Sequence, residues 1–494
     1  MKLFSEVEKT RIAYHKDQSQ KTVHRSSLLV PRFEHATTVI SFLNHFLLKR
    51  NYESVTLKIT AISYDGKFKS SKSIEINEPR VYTFYLEELF QDSAETGEYL
   101  VEFFSTKNLF IPYPAVMINH VGKDFINTVH AYNRVLNDIF EDDEVNSFQV
   151  YEASIDVVID EEYDSFFCIA SGPFEINGAL KVSLEDSEQV SRVIPISMER
   201  MSVRRFKLSE MFNRSLINGS ILKILQPKQV LFYGRLLAGV MNRKTGAFSA
   251  NHSYYDTSSV PEYFDNNESS RRYPYFSDQQ NTITMYPIVS KSLLEISVEI
   301  SNDTKTFKSD FQKLLSPSTN PITFDINKLV KMSELENVYS FKVRAYSSQN
   351  KIPTRLSHQV QYSKLGSKSK LGSSISVALN NEEVFDSPNR NRMIWGQVVT
   401  ANNYESRLGI CFSNNSSPNE KITIDFYGES GHLKCITEHL DSTSSMIFDS
   451  TFFVQIGCVN EFVWYVARAE KNELTAISFH YHRISENASG EHSF

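Results

Sequence analysis

The 494-residue chain has only four cysteines, Cys168, Cys411, Cys435 and Cys458, and no C-x-x-C pair. That excludes a disulfide framework and a thiolate metal knuckle, and free buried thiols are expected, with a late disulfide as the alternative. With 17 Gly and 15 Pro, the chain cannot be collagenous or a Pro-rich extended protein. No window reaches the ~18 apolar residues of a transmembrane helix, so membrane insertion is not expected. The first residues lack an apolar core, since Glu6, Glu8 and Arg11 interrupt it. A cleaved leader is therefore not expected, and a cytoplasmic location is. A net charge of −7 supplies no field for nucleic acid or an anionic membrane.

Aromatic residues are abundant, with 35 Phe and 24 Tyr, and they favour strands. Internal similarity carries more information. At an offset of 122, VYTFYLEELF (81–90) falls on VRRFKLSEMF (203–212), and the same offset carries Leu109, Phe110, His130 and Tyr132 onto Leu231, Phe232, His252 and Tyr254. Two weaker copies follow. ITFDINKLVKM (322–332) precedes a strand bearing His358, and a tail copy (445–482) ends with His480 or His482 in the recurring position.

Within each copy, VTLKITAIS (55–63), ALKVSLED (179–186), LLEISVEIS (293–301) and KITIDFYG (421–428) alternate apolar and polar residues, the mark of a half-buried strand. A short helical turn and a terminal hairpin complete the unit. The pattern predicts an all-β fold, a tandem array of four antiparallel β-sandwich units at 33–140, 150–258, 282–363 and 393–485, behind an extension at 1–32. The aromatic stretch 256–281 and the basic stretch SKLGSKSKLGSS (363–374) read as linkers.

HATTVISFLNHFLLKRNYESVTLKITAISYDG (35–66) and ESRLGICFSNNSSPNEKITIDFYGESG (405–431) open their units in the same way. Together with the short turn and closing strand pair, they resemble the small β-sandwich of the sensory-rhodopsin-transducer-like proteins. That resemblance implies a β-sandwich, a role in binding or signalling rather than catalysis, and assembly as symmetric small oligomers.

Two constellations are candidates for chemistry. The cluster 119–138 holds His120, Asp124, His130 and Asn133. Two imidazoles on one sheet face with a carboxylate could hold Zn²⁺ or serve a carbohydrate-active enzyme. Asn242 and Gly246 stand at the positions aligned with His120 and Asp124, so only the recurring histidines persist, which favours packing over ligation. No metal and no cofactor is therefore expected. The second constellation is aromatic and basic: Tyr254, Tyr255, Tyr273, Arg235, Arg271 and Arg272. Rings beside guanidinium groups form platforms for sugars, and equally fill seams between units. The acidic strings EDDE (141–144) and DEEYD (160–164) lack calcium-loop spacing.

These observations lead to a non-catalytic interaction or ligand-binding protein, with a glycan or a partner protein as ligand. A carbohydrate-active enzyme and a structural assembly subunit are the alternatives.

Overall fold

The computed structural model describes residues 25–90, 95–105, 115–130, 134–135, 151–172, 174–185, 190–212, 220–227, 233–234, 236–256, 263–286, 293–314, 321–353, 356–379, 392–414 and 419–494. The fold is all-β. Residues 6–259 and 260–494 form two compact units, and each contains two sandwiches.

All four sandwiches share one topology. One sheet runs first-sixth-third-fourth strand, the other fifth-second-seventh-eighth, and every pairing is antiparallel. In the first sandwich these strands run from Arg25–Pro31 to Ile126–His130, and in the second from Tyr151–Val157 to Phe248–His252. The third runs from Glu268–Pro274 to Ser373–Ala378, and the fourth from Met393–Thr400 to Ala488–His492. A helical turn follows each fifth strand: Leu86–Leu89, Leu208–Glu210, Ile326–Ser333 and Ser450–Gln455. Asp325 and Asp449 cap the last two by accepting from the amides of Lys328 and Phe452.

The alternating segments are the third strands, whose inward residues build the cores. Leu180, Val182 and Leu184 meet Phe167, Phe206 and Leu208 in the second sandwich, and Ile422, Ile424 and Phe426 meet Ile410, Phe448 and Phe453 in the fourth. The fourth strands are edges. Phe68–Ile76 is exposed over most of its length and rich in Ser and Lys, a composition that discourages pairing with other chains.

Several boundaries differ from those read in the sequence. Residues 25–31, placed in an extension, are the first strand of the first sandwich, paired with Thr96–Ser105. Glu268–Pro274, placed in a linker, pairs with Ser340–Tyr346, and Ser373–Ala378 pairs with Ser357–Lys364 as an eighth strand. Leu28, Leu29 and Val30 are all buried, as are most residues of Glu268–Pro274, so these segments lack the alternation that reveals a half-buried strand. Among the described residues, no helix is long and apolar enough to cross a membrane. The four cysteines are free; Cys435 is exposed and the other three are buried.

Candidate ligand-binding cleft

In each unit, one member of the second and seventh strand pair of one sandwich is packed on both faces. Tyr163–Ala170 is buried along its whole length, as is Leu474–His482. The outer faces of these strands therefore make a joint with the neighbouring sandwich of the same unit.

In the first unit the joint is built on Pro31, Arg32 and Phe33, where the chain leaves the first strand. Phe33 is buried; its ring lies 4.9 Å from His120, 5.9 Å from Phe166 and 4.4 Å from Phe248. The His120 Nε2 donates to the Pro31 carbonyl at 3.3 Å. Burial lowers the His120 pKa to about 4, so the ring is neutral at neutral pH. On the fifth strand of the second sandwich, Phe206 points into the core while Arg205 and Lys207 alternate outward, and the Arg205 guanidinium lies 5.3 Å from the centre of the Phe33 ring.

Around this joint opens a cleft of about 220 Å³, walled by Phe33, His35, Phe166, Arg205, Lys207 and Arg243, with Glu34 and Asp164 also on its lining. Asp164 is already engaged: it accepts from the Ser209 amide (3.1 Å) and hydroxyl (2.5 Å) and faces Arg243 at 3.3 Å. Arg205 has no carboxylate partner among the described residues. Gly246 closes one side with φ +73°, and a Cβ there would lie 2.1 Å from the His35 ring.

The second unit repeats this joint with different occupants. Pro274 and Phe276 stand where Pro31 and Phe33 do, and Tyr362 takes the place of His120, donating its hydroxyl to the Pro274 carbonyl at 2.8 Å. By strand register, Phe166 matches Arg407, Asp164 matches Glu405, and Arg205 and Lys207 match Ile447 and Asp449. The Arg243–Asp164 pair recurs as Arg483–Glu405 at 3.2 Å. Arg407 fills the joint, reaching Asp278 at 2.9 Å and also bonding Glu405. Asp278 corresponds to His35 of the first unit. One joint is thus closed by an internal carboxylate on a guanidinium, and the other is open and lined by cations.

The sequence-derived candidates fall elsewhere. His120 pairs with Asn127 and His130 with Met117, which puts the two imidazoles on opposite faces of their sheet. That separates the two imidazoles of the alternative catalytic reading. Asp124 lies in the hairpin turn between those strands, and Asn133 lies outside the described residues. His130 packs edge-on against His252 at 4.4 Å.

Arg272 is buried, bonds the Ser340 hydroxyl and donates its backbone N–H to the Ser413 carbonyl. Tyr273 is fully buried and its hydroxyl meets the His358 Nε2 at 2.7 Å. Arg271 reaches the Thr475 hydroxyl and the Ala378 carbonyl. The Arg271 side chain and the Arg272 backbone N–H reach the fourth sandwich, while the Arg272 and Tyr273 side chains bond within the third, so none of the three stands on an open ligand platform. Tyr254 and Tyr255 lie on a short strand paired with Ala153 and Glu152, and Arg235 lies outside the described residues.

The recurring histidine also changes place. His358 and His480 stand on seventh strands, and His480 matches His120. The counterpart of His252 is His492. Both donate their amide to the preceding side chain (Asn251, Glu491) and their Nδ1 to the following serine carbonyl, at 3.0 and 2.6 Å.

Arg205, Lys207 and Arg243 were not singled out in the sequence. Two signals pointed to them: the Pro-x-Phe shared by 31–33 and 274–276, and two cations alternating on one face of a short strand.

No family model and no curated protein matches the chain. Among solved structures, a calcium-binding mutant of Bacteroides uniformis beta-glucuronidase 2 is similar at 10% identity and a TM-score of 0.12, over 48% of this chain and 27% of that one. The tetra-tandem repeat in the extending region of a large adhesion protein matches at 10% identity and a TM-score of 0.12, over 94% and 97% of the two chains. Trypsin-activated alpha-2-macroglobulin from Escherichia coli matches at 9% identity and a TM-score of 0.14, over 97% and 42%. The chain thus spans about a quarter of the first of these, and likeness at this level transfers no activity.

Proposed function

We propose that the protein is a non-catalytic binding protein, an array of β-sandwiches whose ligand site is the cleft at the joint of the first two. A glycan is preferred over a partner protein as the ligand. The observation that carries this reading is the contrast between two joints of one design, one closed from within and one left open with cations on its walls. A cleft of about 220 Å³ is smaller than the ~300–1,000 Å³ of sites that enclose a whole cofactor or drug-sized molecule, so it suits one residue of a larger ligand. The buried histidines support binding over catalysis, because His120, His45 and His358 are held neutral by burial and turned to packing. The resemblance to sensory-rhodopsin-transducer-like proteins, which implied binding or signalling, is compatible with this reading.

The test is a binding screen of the purified chain against immobilised glycans and against protein baits. It is run beside an Arg205→Ala/Lys207→Ala variant whose fold is checked by circular dichroism. A folded variant that loses the ligand supports the reading. Unchanged binding by the variant, or turnover of the bound glycan, overturns it.

A further inference from the structure

We infer that the cleft takes the carboxylate of an acidic sugar, a hexuronate unit within a glycan. The inference rests on the binding reading above and specifies its ligand. The protein contains its own precedent. In the second unit a carboxylate from one sandwich, Asp278, is bound by a guanidinium of the other, Arg407. The first unit has lost that carboxylate, because His35 stands at the Asp278 position. It has also lost the filling guanidinium, because Phe166 stands at the Arg407 position. Cations have been added instead: Arg205 and Lys207 replace Ile447 and Asp449. A carboxylate from outside restores the charge balance that Asp278 provides in the other copy.

The remainder of the lining argues for a sugar over a bare anion. Three cations face two carboxylates, Glu34 and Asp164. Glu34 repels a phosphate and a carboxylate alike, but a sugar also brings hydroxyls, which donate to a carboxylate and accept from a cation. The apolar part of the lining is Phe33, Phe166 and Met241; the two rings are buried and form its floor, and Met241 is the partly exposed apolar side chain that a sugar's C–H groups can meet. A neutral sugar uses Met241 and Glu34 but leaves Arg205 without an anion, while Lys207 has Glu210 at 3.9 Å.

The experiment is titration calorimetry of the full chain with three probes. These are short oligogalacturonates, the same oligomers as methyl esters, and inorganic phosphate. The ester keeps the ring and hydroxyls and removes the charge. Expected are binding of the acid form, at least tenfold weaker binding of the ester, no binding of phosphate, and at least tenfold loss with Arg205→Gln/Lys207→Gln. Equal binding of acid and ester, lost in the variant, overturns the carboxylate assignment and leaves the binding reading standing. Phosphate competing as well as the acid overturns the sugar. Acid binding unchanged in the folded variant overturns both the ligand class and the cleft.

Discussion

His120 and Tyr362 hold equivalent positions on seventh strands and act alike, each donating a hydrogen bond to the carbonyl of a proline, Pro31 at 3.3 Å and Pro274 at 2.8 Å. Both prolines precede an aromatic residue that enters the joint, Phe33 and Phe276. A buried backbone carbonyl needs a donor, and in both joints a side chain of the seventh strand supplies it to the proline. Imidazole and phenol do this equally well when neutral. This explains why a residue type singled out for chemistry is interchangeable with tyrosine between the copies.

Removing either donor therefore destabilises its own unit. For His120→Ala we expect a loss of about 2–4 kcal/mol, from the buried ring's packing on Phe33 and the unpaired Pro31 carbonyl. Tyr362→Phe keeps the ring and should lose about 1–2 kcal/mol. Urea unfolding followed by circular dichroism checks the first. Both tryptophans, Trp395 and Trp464, lie in the second unit, so their fluorescence checks the second. A change below a few tenths of a kcal/mol in both would refute the shared role.

Stability of the first unit should pass through a maximum with pH. Burial depresses His120 to about 4 and His45 to about 3, below the ordinary 6.5. The unfolded chain then binds more protons, so the stability these groups give is complete above pH 6.5 and falls as pH drops towards 4 and 3. Burial raises Glu98 to about 8 from 4.5, so its contribution is complete below pH 4.5 and falls as pH rises to 8. The optimum lies where the two losses balance, in mildly acidic solution. Glu98→Gln should remove the alkaline decline, raising stability at pH 8 while changing little at pH 5. Denaturant midpoints at both pH values decide the matter. An equal shift at the two would exclude the assignment.

Gly246 and His35 form a coupled pair at the cleft wall. Gly246→Ala meets a left-handed backbone at φ +73° and a Cβ position 2.1 Å from the imidazole. The expected loss is about 1–3 kcal/mol, the backbone share of which is about 1 kcal/mol. In a double-mutant cycle, His35→Ala should recover the steric part and leave the backbone part. Strict additivity would show that the ring moves aside without resistance.

The architecture was legible where one face of a strand is buried and the other wet. Third strands such as Val55–Ser63 announce themselves by alternation, and the helical turn after each fifth strand repeats recognisably. Runs of consecutive buried residues did not, and so residues 28–30 and Glu268–Pro274 read as extension and linker. The 122-residue offset was correct for His130 and His252 but not for His120, whose register partner in the second copy is Val240. The chain before the seventh strand is two residues shorter there, and the following hairpin two residues longer, so the errors cancel along a gapless comparison. The joint itself was hidden because its cations and rings come from strands distant in sequence, which only the pairing of sandwiches brings together.

Arg407 offers the complementary experiment to the open cleft. It lies at the centre of a network with Asp278, Glu405 and Arg483, and its side chain is only 12% exposed. Arg407→Ala leaves the Asp278 carboxylate without its cation, while Glu405 keeps Arg483. The pair with Asp278 lies partly in solvent, so the expected loss is about 1–2 kcal/mol, and it should shrink at high salt, where surface ion pairs are screened. Tryptophan fluorescence during urea unfolding, at low and high salt, measures both quantities. The vacated space should not bind an acidic glycan, because Ile447 and Asp449 stand where Arg205 and Lys207 stand in the first unit. Calorimetry with oligogalacturonate on an Arg205→Gln/Lys207→Gln/Arg407→Ala chain tests that directly. Heat restored by the third substitution would mean that an empty joint suffices for binding and that the two cations do not select the ligand.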